Sequence, residues 1–277
     1  MAATLELRVL QALSKALQAD QLVLPTLPEV ALKAREAAQD PNATAVKLAK
    51  VVGNDAAMSA RLIKVANSPL LRAARAIEDL TGAITRIGIT FASNLITGFA
   101  MQQMYQATSD LVDKKMREIW TLSATVGGVA HVLCRQYTKL KPDQATLAGI
   151  IHQIGALPVL TFAEDFPDLL SDEETLNRIV EQMHPQIGEA ILQAWDFPPE
   201  LIPVPGHYLN LQRKGGEKAD YVDLVTVASM YVNSGKDNAM GSADWENVAA
   251  LKRLGIKDKA ELDALADTMK AAASTFA

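Results

Sequence analysis

The chain has 277 residues, of which 49% are hydrophobic and 21% are charged, a composition typical of a globular protein with a sizeable core. Its net charge of -5 argues against general nucleic-acid binding, and its single cysteine, Cys134, excludes an internal disulfide framework. We find no run of about 20 apolar residues and no signal-peptide pattern in residues 1–6, so we expect a cytoplasmic protein without a membrane segment.

The spacing of aliphatic residues predicts an all-α fold. Only 5% of the residues are aromatic, and extended alternating strand patterns are missing. In chain order, the first helix ends near Asp20 and the segment 24–28 interrupts the helical pattern. A second helix begins near Pro28 and ends at the turn 40–42. Further helices are predicted over 44–52, 55–66, 79–87 and 89–105, with Asp55 as an N-cap and Gly88 as a break.

The chain beyond residue 105 continues as a series of predicted helices. A long helix is expected over 111–137, and another begins at Pro142. Asp172 is predicted to cap a short helix, and Pro185 is placed in the first turn of a separate helix. A helix is also expected from 197–199, a mobile loop over 212–216, and three final helices near 221–234, 244–254 and 258–273.

Basic residues concentrate between residues 44 and 77. They are Lys47, Lys50, Arg61, Lys64, Arg72 and Arg75, and Asp55 is the one acidic residue among them. Such an excess of positive charge can dock an anion or an acidic partner. The alternative is an ordinary solvated helix face. The segment is therefore a candidate partner or anion surface.

Three of the four histidines have similar surroundings. His152 is expected at the end of an apolar helix, His184 at the start of one, and His207 after a Pro-Gly pair. Together they could hold zinc, although they lie on separate helices, and the alternative is that each is a buried or capping residue. The fourth, His131, lies three residues before Cys134. The apolar neighbours of this pair favour a buried structural cysteine over a Cys-His nucleophile.

Several segments of the chain form a combination that is specific to one family. They are Leu24–Ala31, Val51–Ala60, Ala60–Ser68, Ala83–Gly88, Gly149–Gly155 and His184–Gly188, with Trp195 and Pro198. On these segments the chain resembles the HDOD domain, an output domain related to the HD metal-dependent phosphohydrolases. The resemblance covers roughly residues 20–235. It implies an HD-domain or phosphodiesterase-like helical fold with an N-terminal helical lobe (1–105), an HD-like lobe (106–235) and a C-terminal helical extension (236–277).

The resemblance also indicates where a metal site would lie and how this chain departs from it. In catalytic HD relatives, histidines and aspartates on successive helices hold one or two metal ions that activate water against a phosphate ester. The corresponding positions here are Leu122, His152, Gln153, His184, His207, Tyr208 and Ser229. Every carboxylate ligand is replaced. The resemblance therefore implies an HD-like fold without a metal, a cofactor or hydrolase chemistry.

We predict a non-catalytic bacterial signal-transduction module that acts through protein-protein interaction and binds a signalling partner in trans. One alternative is a residual metal-dependent phosphohydrolase, with His152, His184 and His207 around a single metal ion. Another is a sensor that binds a nucleotide second messenger at the basic segment. The identity of the partner and the oligomeric state stay open.

Overall fold

The computed structural model describes residues 2–19, 21–71 and 75–276, with side chains described from residue 5 onward. Over these ranges the regular structure is entirely helical, which confirms the predicted all-α fold. The helices are α1 (Ala2–Gln18), α2 (Glu29–Gln39), α3 (Ala45–Val52), α4 (Ala56–Ala66), α5 (Leu80–Ile87), α6 (Ile89–Gln102), α7 (Asp110–Tyr137), α8 (Pro142–Ile151), α9 (Ala156–Ala163), α10 (Pro167–Leu170), α11 (Glu173–Ala194), α12 (Pro203–His207), α13 (Tyr221–Asn233), α14 (Ala249–Leu254), α15 (Lys259–Asp263) and α16 (Ala266–Phe276). Short 3-10 turns lie at Pro69–Leu71 and Trp245–Asn247.

Polar side chains cap the first turns of several helices. Side-chain oxygens of Thr44, Asp55, Asp79 and Asp172 each accept a backbone N–H from the third residue that follows. Such a cap satisfies one of the amide groups that a first helical turn leaves unpaired. The caps predicted at Asp55 and Asp172 are confirmed. Gly88 has a φ of 90°, which other residues rarely adopt, and it separates α5 from α6 as predicted.

Helix α11 continues through Pro185, so the prediction that this proline begins a separate helix was wrong. An interior proline removes one backbone hydrogen bond and costs a helix about 3 kcal/mol. Buried residues of α11 lie on both sides of the proline and belong to one core: Leu176, Ile179, Met183, Ile187, Ile191 and Leu192. Burial of each stabilises by about 1.5–3 kcal/mol, so core packing outweighs the effect of the proline.

The last third of the chain is more divided than its pattern predicts. The helix expected from 197–199 begins instead at Pro203, as α12. Val248 has extended backbone, and the next amide, that of Ala249, donates to the Leu211 carbonyl outside any helix. The predicted helix over 244–254 is therefore divided into a 3-10 turn and α14. The one predicted over 258–273 is divided into α15 and α16 by a turn at 264–265.

Two buried cores adjoin each other. The larger surrounds α7 and includes side chains of α8, α9, α11 and α13, whereas the smaller lies among α2 to α6. Helix α1 packs on α11, and its Val9 and Leu13 belong to the larger core. Conversely, Phe276 in α16 belongs to the smaller core. The lobe boundaries at 105 and 235 stay predictions. Near both ends of the described chain, buried residues belong to the core whose other members are distant in sequence.

Arg35 and Trp195 join α2 and the segment before it to the end of α11. The indole Nε1 of Trp195 donates to the Pro25 carbonyl at 2.9 Å. The Arg35 guanidinium donates to the carbonyls of Trp195 at 2.9 Å and Asp196 at 2.6 Å, and its central carbon lies 5.0 Å from the ring centre of Phe197. Two segments about 160 residues apart in sequence are thereby held together.

The segment Pro142–Ala163 is long and apolar enough to cross a membrane, contrary to the expectation that no such run exists. It forms α8 and α9 with a turn between them, and 83% of its most apolar window is buried inside the protein. The segment packs closely on α7, since Gly149 lies so near the Gly127 backbone that a β-carbon at Gly149 would overlap it. This close approach contributes to the burial. Such burial is consistent with a soluble protein, and the cytoplasmic location stays a prediction.

Candidate functional site

The turn between α8 and α9 meets the middle of α11 at a pair of glycines, Gly155 and Gly188, and this contact creates the candidate site. The turn between α8 and α9 contains Gly155, which touches α11. A β-carbon at Gly155 would overlap the His184 carbonyl oxygen and the Gly188 amide, so only glycine allows this approach. The two segments that begin with His152 and His184 therefore lie against each other.

His152 is completely buried and uncharged. Its Nδ1 lies 2.6 Å from the Gly149 carbonyl oxygen, and since a carbonyl only accepts hydrogen bonds, Nδ1 carries the proton. Burial lowers the pKa of His152 to about 3, so the ring is neutral at neutral pH. Its Nε2 has no hydrogen-bond partner among the residues that the structure describes. Histidines that ligate metals commonly have this arrangement, with the other nitrogen bonded to a carbonyl.

The Tyr208 phenol lies between the two histidines. Its ring meets His152 edge to face, with 4.7 Å between ring centres, and its hydroxyl lies 2.9 Å from His184 Nε2. Because His184 Nδ1 donates to the Val180 carbonyl at 2.8 Å, Nε2 is the acceptor and the tyrosine hydroxyl is the donor. The Gln153 amide donates to the same hydroxyl oxygen at 3.3 Å. One buried phenol thus joins both segments.

The donor atoms of this cluster do not fit a catalytic metal ion. Burial lowers the pKa of His184 to about 4 and raises the pKa of Tyr208, so both groups are neutral. Gln153 offers a neutral amide, whereas hard divalent cations are held mainly by carboxylates. The His184 lone pair is already engaged by the tyrosine. Over residues 2–19, 21–71 and 75–276, no three His, Cys, Asp or Glu side chains are grouped closely enough to hold a metal.

The cluster forms part of the wall of a cleft of about 1250 Å³, which we call the large cleft. Five of the seven predicted positions line it: Leu122, Gln153, His184, Tyr208 and Ser229. His152 lies behind the Tyr208 ring and is closed to solvent. His207, at the end of the short helix α12, is exposed and does not line the large cleft, whereas the next residue, Tyr208, is buried in it. The structure therefore does not bring the three histidines of the zinc hypothesis together.

Asn233 belongs to the large cleft and was missed by the sequence predictions. Its side-chain amide donates to the Ser229 carbonyl at 2.9 Å, one helical turn earlier. On the same helix, the Thr226 hydroxyl donates to the Tyr208 carbonyl at 2.9 Å. Thr226, Ser229 and Asn233 follow at three- and four-residue intervals in α13, which is mainly apolar beyond Asp223 in its first turn, and this spacing puts them on one face. That polar stripe is the sequence signal that could have identified them.

The predicted basic surface is not a uniform patch of unpaired charge. Lys47 forms a surface ion pair at 2.9 Å, and the Lys64 amine lies 3.5 Å from a carbonyl oxygen of α16. Arg61 is half-buried, with its guanidinium carbon 3.7 Å from the ring centre of Phe99. Lys50 and Arg75 are exposed, and Arg72 lies outside the described residues.

The HDOD domain model matches residues 24–207, which is more than half of the chain, and the chain belongs to the HDOD family. The resemblance inferred from the sequence is thereby confirmed. The matched segment begins just before α2 and ends at α12, so it includes Gln153 and His184 as well as the segments joined by Arg35 and Trp195.

Two solved structures share the fold along nearly the whole of this chain, and a further relative matches it in sequence. A protein of Shewanella amazonensis SB2B, provisionally named a metal-dependent phosphohydrolase, is 34% identical, with a TM-score of 0.85 over 98% of this chain and 99% of that one. A provisionally named signal transduction protein of Marinobacter aquaeolei VT8 is 22% identical, with a TM-score of 0.62 over 93% of this chain and 60% of that one. An uncharacterized protein of Treponema pallidum (strain Nichols) is 23% identical over 226 residues. That match covers 76% of this chain and only 42% of the relative's length. The HD-like helical fold is confirmed.

Acid is expected to destabilise the protein through its buried histidines. The pKa of His184 is lowered from 6.5 to about 4 in the folded chain. Between these values the unfolded chain binds a proton that the folded chain does not. The free energy of unfolding therefore falls as the pH drops below about 6.5, by about 1.4 kcal/mol per pH unit for this residue. Urea unfolding of His184→Gln from about pH 6.5 to pH 5 should give a slope shallower by this amount.

The matched control for this prediction is His207→Gln, which makes the same substitution at an exposed histidine. His131 and His152 contribute with the same sign, since burial lowers their pKa values to about 4 and about 3. Parallel pH profiles for the wild type and His184→Gln would contradict the prediction.

Proposed function

We propose that the chain is a non-catalytic bacterial signalling module that acts by binding a partner protein in trans. Membership of the HDOD family fits a signalling module, and so does the name of the Marinobacter aquaeolei protein. The non-catalytic part of the proposal is supported by the chemistry of the cluster around Tyr208.

The observation that carries the proposal is the hydrogen bond from Tyr208 to His184. A metal ion bound through His184 Nε2 would have to displace this buried hydroxyl, which also accepts from Gln153. Leaving buried polar groups without partners costs about 1–3 kcal/mol each. Leu122 and Ser229, which line the same cleft, supply no charge to compensate the cation.

Metal analysis and hydrolysis assays test the non-catalytic role. The untagged protein should contain no stoichiometric manganese, zinc or iron, and should not hydrolyse p-nitrophenyl phosphate or bis-p-nitrophenyl phosphate above the buffer rate with added Mn²⁺. The double variant Gln153→Asp/Tyr208→His adds a carboxylate and an imidazole beside His184. We expect it to bind Mn²⁺ at least about tenfold more tightly than the wild type in calorimetric titrations.

One metal ion per wild-type chain, together with turnover that His184→Gln abolishes, would overturn the non-catalytic proposal. That result would support the second candidate function, a residual metal-dependent phosphohydrolase. The observation that favours this candidate is the 34% identity to the Shewanella amazonensis protein provisionally named for that activity.

Partner binding requires a separate experiment. A protein that copurifies with the chain from its native cell should rebind the purified chain as a defined complex, detected by light scattering. His152→Ala should leave this binding unchanged, because His152 is buried behind Tyr208. A chain that remains uncomplexed with every copurified candidate would contradict the interaction proposal.

A further inference from the structure

A second cleft, of about 490 Å³, lies between α4, the end of α6 and the middle of α7, and we call it the small cleft. This volume falls within the range of roughly 300–1,000 Å³ that small-molecule sites occupy. Five of the seven HD-like positions line the large cleft and none lines the small cleft, so the small cleft is a distinct feature. The two clefts share Arg117 and Thr121 of α7 as lining residues.

Arg61 gives the small cleft a fixed positive charge. Its guanidinium carbon lies 3.7 Å from the ring centre of Phe99, and one of its nitrogens donates to the Gln102 side-chain oxygen. Arginine stays protonated in proteins, and in the described part of the chain no carboxylate forms an ion pair with Arg61. The stacking and the hydrogen bond hold the guanidinium in place, and its charge is left for another group to neutralise.

Tyr105 and Trp120 form an aromatic wall in the same cleft. Their ring centres are 5.6 Å apart, and only 2% of Tyr105 and 4% of Trp120 is exposed. The Tyr105 hydroxyl is buried and has no hydrogen-bond partner within the residues described. Buried polar groups are satisfied in the great majority of cases, so a lone phenol hydroxyl beside a cleft indicates a missing partner.

The remaining charges favour an anion over a cation. Arg117 adds a second guanidinium, although Asp113 pairs with its Nε at 2.8 Å. The carboxylate that lines the cleft is that of Asp55, and it is occupied as the N-cap of α4, where it accepts from the Met58 amide at 2.9 Å. Arg61 therefore offers a ligand a positive charge that no carboxylate of the described residues neutralises.

We propose that the small cleft binds a small planar organic anion, the chemical class that includes nucleoside monophosphates and aryl phosphates. The anionic group pairs with Arg61 in the geometry that guanidinium groups offer to phosphates. The planar ring lies against Trp120, and the Tyr105 hydroxyl gains its missing hydrogen bond through a small adjustment of the wall. This inference is independent of whether the chain binds a partner protein.

Calorimetric titration of the full chain tests the proposal with three probes: AMP, phenyl phosphate and inorganic phosphate. We expect AMP, phenyl phosphate or both to bind one per chain with a dissociation constant below about 1 mM, and inorganic phosphate to bind at least about tenfold more weakly. Tighter binding of AMP than of phenyl phosphate would assign the site to nucleotides, and the reverse order would assign it to aryl anions.

Two variants connect binding to the proposed residues. Arg61→Gln removes the charge and Tyr105→Phe removes only the hydroxyl, and each should weaken the binding of the preferred probe at least about tenfold. Arg86→Gln, at an exposed arginine of α5, should bind as the wild type does. Tyr105→Phe should also unfold at the same temperature as the wild type or higher, because the hydroxyl it deletes is unpaired in the free chain.

Three results would overturn the proposal. The first is a dissociation constant above about 1 mM for every probe. The second is binding that both Arg61→Gln and Tyr105→Phe leave unchanged. The third is equal affinity for inorganic phosphate and the planar probes, which would show that the aromatic wall makes no contribution.

Discussion

Replacing Phe276 by alanine is expected to lower the free energy of unfolding by about 3–5 kcal/mol, the usual cost of deleting a fully buried aromatic ring. Phe276 is 0% exposed and is part of the smaller core. Its ring centre lies 6.2 Å from those of Phe91 and His131. The helix around it cannot move inward to fill the cavity, because a β-carbon at Gly128 of α7 would already lie 2.6 Å from the Ala273 backbone.

Chemical denaturation by urea, followed by circular dichroism, measures this effect. The matched control is Phe162→Ala, since Phe162 is only partly buried at the edge of the larger core and should cost clearly less. A loss for Phe276→Ala as small as the one expected for Phe162→Ala would contradict the prediction that Phe276 completes the smaller core.

Replacing Asp223 by alanine should lower the free energy of unfolding by about 3–5 kcal/mol, the usual effect of removing one partner of a buried ion pair. Asp223 is 1% exposed and accepts from Arg253 at 2.8 and 2.5 Å, and Arg213 lies 3.4 Å away. Its other role is in the capping box of α13, where it accepts from the Asp220 amide at 3.2 Å. The substitution leaves two guanidinium groups, 13% and 18% exposed, without their shared carboxylate.

The control is Asp263→Ala. Asp263 forms a 2.7 Å pair with Lys259, but the pair is exposed to solvent, so its loss should cost at most about 1 kcal/mol. Thermal or urea unfolding of both variants provides the comparison. A loss for Asp223→Ala as small as that for Asp263→Ala would mean that the ionic cluster is not an important link between α13 and α14.

Local signals predicted much of this fold because they act over a few residues. The caps at Asp55 and Asp172 and the positive φ at Gly88 depend on neighbouring atoms alone, and they were found where expected. Pro185 is different, since a proline normally ends a helix. Here the apolar face of α11 is buried on both sides of it, and that long-range packing does not appear in a local pattern.

The candidate site could be predicted in part. Positional resemblance to the HD relatives identified five residues that line the large cleft, but it could not show that Tyr208 would donate to His184, because that depends on side-chain direction. His207 was grouped with the other histidines, yet it is exposed. Arg61 was predicted as part of a basic surface, but its place in the small cleft could not be predicted, since Arg61 and Trp120 come from helices far apart in the chain.

The placement of α1 and of Phe276 in cores built mainly from residues distant in sequence has a consequence for the order of folding. During synthesis the other residues of the smaller core, up to Ala100, emerge early, yet Phe276 joins them only after about 175 further residues have been made. Helix α1 likewise finds its packing partner only when α11 has been made. Glu6 of α1 forms an ion pair at 3.0 Å with Arg178 of α11. Contacts so distant in sequence slow folding and prolong the exposure of apolar surface. Apolar surface of the smaller core is therefore expected to stay exposed until α16 has been made.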